Sequence, residues 1–127
     1  MAYYFARTLP LSFDVAVERT REALAREGFG VITEIDVRKT LKEKLGVEFR
    51  PYLILGACNP ALAHEALLVE DKVGTMLPCN VVIQEVSGGT EVAAIDPVAS
   101  MQAIPNLALA AKAKIVGARL QAAIEAL

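Results

Sequence analysis

The chain has 127 residues, 54% of them apolar and 22% charged, and carries a formal net charge of −2. That length suits one domain with a genuine core, and the slight negative charge gives no overall pull toward nucleic acid or anionic lipid. No uncharged run reaches the roughly 18 residues that a membrane-spanning helix needs; the longest, residues 97–111, is broken by Pro105 and Asn106.

Residues 3–8 read as a first strand, which Leu9-Pro10-Leu11 breaks. Ser12 then caps a helix to about Glu27, with Phe13, Val17, Thr20 and Leu24 at helical spacing and Gly28 as its stop. Alternation of Phe29, Val31, Thr33, Ile35 and Val37 with Gly30, Glu34 and Asp36 predicts a half-buried strand, although Ile32 falls on its polar side. A second helix follows over residues 37–45, ended by Gly46.

Residues 53–58 form a short uncharged run ending in turn residues, the pattern of a buried strand. Asn59 suits a helix N-cap and Pro60 the first helical position, where its missing amide hydrogen costs nothing. A third helix continues to about residue 71, and a connection through residues 72–78 leads to a strand over residues 80–86. Ser87-Gly88-Gly89-Thr90 predicts a tight hairpin with Gly88-Gly89 as its loop, so that Val86 opposes Glu91 and Val81 opposes Asp96. Asp96 caps a short helix over residues 97–104. Asn106 caps a long one to Leu127, striped by Leu109, Ala113, Val116, Leu120, Ala123 and Leu127. The sum is a single α+β domain over residues 1–127, with a largely antiparallel sheet, helices mainly on one face, and a long C-terminal helix that completes the core or a dimer.

The chemistry-bearing residues gather in residues 52–80, which hold both cysteines and the only histidine. Cys58 stands at a strand end just before a helix amino terminus, whose field favours a thiolate where the sulfur is not buried in hydrocarbon. The hairpin register places Asp96-Pro97 beside Cys79-Asn80. Whether Cys58 joins them turns on topology: a parallel next strand puts Cys79 at the far end of the sheet, whereas a connector that recrosses the edge lets the sulfurs meet. Cys58, Asn59, Cys79, Asn80 and Asp96 are therefore the candidate site, with thiols as soft ligands, carboxamides to orient a ligand and a carboxylate for charge. The plainer alternatives are buried structural cysteines and simple capping by Asn59 and Asp96. His64 falls opposite the apolar face of its helix. Arg38, Lys39, Lys42, Lys44 and Arg50 read as a solvated helix face without the aromatic interleaving of a nucleic-acid site.

Leu55-Gly56-Ala57-Cys58-Asn59-Pro60, Leu77-Pro78-Cys79-Asn80-Val81-Val82 and Ala94-Ile95-Asp96-Pro97 resemble the domain-of-unknown-function 302 family of small bacterial and archaeal proteins. The likeness covers nearly the whole chain, including the opening helix with its Gly28 stop. It implies a compact α+β domain, a dimer, and no assigned catalytic residue.

The expected activity is the binding of a small molecule or metal at this site. The alternatives are a thiol-dependent redox or detoxification enzyme with Cys58 as the reactive sulfur, and a dimeric scaffold. The apolar surplus points independently to a homo-oligomer, a dimer first. Tyr3-Tyr4-Phe5 follows the start without the features of a secretion signal, so reduced thiols in the cytoplasm are expected, with one disulfide as the hyperthermophile alternative.

Overall fold

The computed structural model describes residues 2–127. Its strands are β1 (Tyr4–Leu9), β2 (Gly30–Asp36), β3 (Tyr52–Cys58), β4 (Cys79–Val86) and β5 (Gly89–Ile95). The α-helices are α1 (Phe13–Arg26), α2 (Val37–Leu45), α3 (Pro60–Val69), α4 (Pro97–Ser100) and α5 (Leu107–Glu125), with a 3-10 helix at Asp71–Met76. Each α-helix begins on a side-chain cap: Ser12, Asp36, Asn59, Asp96 and Asn106 each accept from an amide of the first turn. These contacts satisfy donors that have no partner within the helix.

The strands form one antiparallel sheet in the order β1-β5-β4-β3-β2. Because side chains alternate, one face gathers Leu53, Leu55, Val81, Ile83, Val92 and Ala94, all buried. Against it pack Ala16 and Leu24 of α1 and Leu120 and Ile124 of α5, which join these residues in the main core. The fold is thus α+β with a layer of helices on that face of an antiparallel sheet. Arg7, at the edge strand, ties in the end of α5 by donating from Nη1 to the Glu125 carbonyl at 2.9 Å and to that of Leu127. A cation beside those carbonyls suits the negative end of the helix dipole.

Three details differ from the sequence reading. The hairpin loop is Ser87-Gly88, with Val86 opposite Gly89, so the ladder is shifted by two residues and Val81 faces Ala94. The reason lies in the adjacent strand: a Cβ on Gly89 would stand 2.0 Å from the Leu9 carbonyl oxygen, so this glycine is required by β1, and only Gly88 serves the turn. A shift of two keeps every side chain on its face, so the core is unaltered, but it brings Asp96 level with Cys79 rather than Val81.

The second difference is in β2, which is exposed along almost its whole length. A bulge between Val31 and Thr33 takes up Ile32, so Val31 faces the core while Thr33 lies against Gly56 on the other face. The misplaced Ile32 in the alternating pattern was the mark of this bulge. At the C-terminal end, α4 is one turn only, and the buried stripe of α5 runs through Gly117 and Ile124.

Gly89→Ala is expected to lower unfolding stability by about 2 kcal/mol or more, because backbone on both strands must move. Gly30→Ala, whose added Cβ meets nothing within 4 Å, is the matched control and should change stability by under about 1 kcal/mol. Chemical denaturation of both variants checks the pair.

Candidate functional site

The site is set by how α3 hangs off the sheet. Asn59 turns the chain out of β3, its Oδ1 accepting from Leu62 N at 3.2 Å, and Pro60 opens the helix. At the other end, Asn106 donates from Nδ2 to the Val69 carbonyl at 2.8 Å while its Oδ1 caps α5 at 3.1 Å. Between these anchors α3 buries only Ala66. It is therefore a helix held at its ends, not one pressed into the core.

The chain then returns through the 3-10 helix and enters β4 antiparallel to β3, with Ala57 opposite Cys79 and Gly56 opposite Asn80. Cys58 is the last residue of β3 and Cys79 the first of β4, so both thiols lie at one end of the sheet. Both are free; Cys79 is buried and Cys58 half-buried. Burial pushes the Cys79 thiol up to about 11, and the neighbouring Cys58 adds to the shift. At neutral pH Cys79 is therefore a neutral, nearly apolar wall, and Cys58 is the sulfur that solvent or a ligand meets.

Beneath α3 lies a cleft of about 320 Å³. The main core supplies one wall, including Phe29, Ala57 and Cys79. A second apolar cluster, with Ala66, Met101, Leu109 and Ala113, supplies the other. The cleft is the seam where these two clusters fail to merge, and alanines at 57, 63, 66 and 113 keep it open. Its side-chain polar groups are Cys58, Asn59, Cys79 and Lys112, the last paired with Glu65 of α3 at 3.6 Å.

Residues 5–127 match the family described as Domain of unknown function DUF302. The chain belongs to the DUF302 family. It is similar, at 30% identity over 98% of each chain and with a TM-score of 0.92, to the crystal structure of an uncharacterized conserved protein DUF302 from Bacillus stearothermophilus. No curated protein matches it.

In this DUF302 chain Cys58, Asn59 and Cys79 line the cleft together. Asn80 does not: strand alternation turns it to the uncovered face of the sheet, where it is exposed. Asp96 accepts from Val98 N at 3.0 Å as the cap of α4, and it is Pro97 beside it that reaches the cleft. His64 is exposed on α3, and among the described residues no group of three His, Cys, Asp or Glu side chains is placed to hold a metal ion. Lys112 went unread in the sequence. The one signal was its spacing, three residues after Leu109 and four before Val116, which puts a cation on the border of the apolar stripe.

Iodoacetamide at pH 8 is expected to modify Cys58 well before Cys79, since a thiol titrating near 11 is about 0.1% ionised there. Peptide mapping of the labelled protein reads the order. The raised value also sets a sign for stability. The folded state holds the Cys79 proton more tightly than the unfolded one, so this stabilisation is complete below the unfolded value, about 8.5. It fades as pH rises toward about 11. The stability advantage of the wild type over Cys79→Ala should accordingly shrink across that window in urea titrations.

Proposed function

We propose that this protein binds a small, largely apolar molecule in the cleft beneath α3. The observation that carries the reading is the seam itself, about 320 Å³ walled by hydrocarbon with few polar side chains. Hydrocarbon walls left facing such a cleft lose the packing contacts that a filled interior would give them. Water entering from the open side finds few partners on these walls. An apolar occupant removes both penalties, and the preformed cleft suits one. Cys58 and the Asn59 carboxamide then stand at its polar end. Metal binding has less support, since among the described residues no third His, Cys, Asp or Glu joins the two thiols, and two thiols alone make a poor cage for most ions. A reactive Cys58 remains the enzymatic alternative, favoured by its place beside the α3 amino terminus. Two free thiols also fit a reducing compartment such as the cytoplasm.

N-phenyl-1-naphthylamine, an uncharged apolar dye, should gain fluorescence on binding the wild type. Ala63→Phe, which fills the cleft from α3, should weaken that binding by about tenfold or more while the protein stays folded. Equal binding by both proteins would remove the cleft as the site.

For the uncovered sheet face we propose a second copy of the chain as partner. Ile35, Ile54, Val82, Ala93 and Ala6 stand side by side there, one from each strand, as an unbroken apolar row. Beside it runs a polar chain, with Arg50 donating to Gln84 at 2.8 Å and Gln84 to Glu91 at 3.1 Å. A flat row with a polar border can meet its own copy across a twofold axis. Sedimentation equilibrium should show a wild-type dimer that Val82→Glu converts to a monomer, and a monomeric wild type would contradict this.

A further inference from the structure

We propose that two copies of the chain meet about a twofold axis running along β4, so that β3 of each lies over β5 of the other. The inference rests on a second copy covering the uncovered sheet face, and adds the symmetry of that contact and the residues that meet across it.

In the strand order β4 stands in the middle, so an axis along it exchanges β3 with β5 and β2 with β1. The apolar row is graded across this order, from Ile35 and Ile54 through Val82 to Ala93 and Ala6. Turning the second copy about β4 sets Ile54 over Ala93 and Ile35 over Ala6 on both sides of the axis, with Val82 over its own copy. Each long side chain then meets a short one, which lets the two facing layers interdigitate. An axis across the strands does the opposite. It stands isoleucine on isoleucine at one end of the row and alanine on alanine at the other, crowding one side and leaving a gap on the other.

The charges select the same axis. The guanidinium of Arg50 lies 4.4 Å from the Phe49 ring centroid and 5.8 Å from that of Tyr52, which opens β3. Its Nε donates to Gln84 Oε1 on β4 at 2.8 Å, and Gln84 Nε2 donates in turn to Glu91 Oε1 on β5 at 3.1 Å. The polar chain beside the row therefore has a cation at β3, an anion at β5 and an uncharged amide between them. Exchange of β3 with β5 brings Arg50 of each copy toward Glu91 of the other, twice in one dimer. Water reaches both charges in the single chain, so they set the orientation of the contact more than its strength. On β4 itself, Asn80, Val82 and Gln84 face the axis and none is charged, so no like charges meet there. A carboxamide both donates and accepts, and so tolerates its own copy.

Arg50→Glu and Glu91→Arg test the axis, by sedimentation equilibrium and native mass spectrometry at low salt. Each variant alone puts two like-charge pairs into its own dimer and should raise the dissociation constant about tenfold. Mixed one to one, the two variants should pair with each other at close to wild-type affinity, because every charge then meets its opposite. The mixed dimer should be well above the one half of all dimers expected by chance. A folding defect in either variant would not be repaired by mixing. Lys114→Glu, an exposed cation of α5 in the helix layer, should leave the dimer as in the wild type, which separates pairing from net charge. A wild-type dimer that neither variant weakens, or weakened variants whose mixture stays weak, would overturn the axis while leaving the second copy in place. A monomeric wild type would overturn both readings together.

Discussion

The pairing of β4 with β3 is the constraint on which the rest of the molecule depends. With Ala57 opposite Cys79, the chain must leave the sheet at Cys58 and come back to the same end at Cys79. Everything between, α3 and the 3-10 helix, is an excursion of the chain that begins and ends at one edge of the core. A parallel return would have stretched that segment along the sheet, buried its apolar side chains against the strands and separated the two thiols. The antiparallel return instead folds the excursion over the sheet end, where it meets α5 and α4.

The same geometry explains why the hydrocarbon there is incompletely filled. Side chains of the sheet, α1 and the C-terminal half of α5 close on one another as the main core. The excursion supplies Ala66 and Val73 to a second cluster, where they are buried with Met101, Leu109 and Ala113. Alanines at 57, 63, 66 and 113 face the seam and are too short to interdigitate across it. Protein interiors normally close such gaps, because packing defects are costly. A gap framed by two well-packed clusters, with capping asparagines fixing the helix above it, is a feature of the fold rather than a fault in it.

Much of this was legible in sequence. The helix starts at Ser12, Asn59, Asp96 and Asn106 were readable because capping is local chemistry: an acceptor beside three orphan amides needs no knowledge of the rest of the chain. The hairpin was legible in kind but not in register, since Gly88-Gly89 looks like one turn. In fact each glycine answers to a different neighbour, and the Leu9 carbonyl that claims Gly89 lies on a strand 80 residues away in sequence. The site followed the same division. Cys58, Asn59 and Cys79 were found through their turn motifs, whereas Asn80 was grouped with them by adjacency although strand alternation turns it to the opposite face. Lys112 left almost no trace, because its place at the cleft arises only when α5 packs beside α3.

The seam is accessible, hydrocarbon-lined space, and the ligand binding proposed for this protein depends on it. The most direct measurement is a crystal structure of the protein under xenon pressure, since xenon settles in apolar cavities without needing a polar partner. A xenon peak bounded by Ala57, Leu62, Ala66 and Leu109 is the predicted result. A difference map with no peak there, and with Leu62 and Leu67 collapsed onto Cys79 to fill the volume, would contradict it.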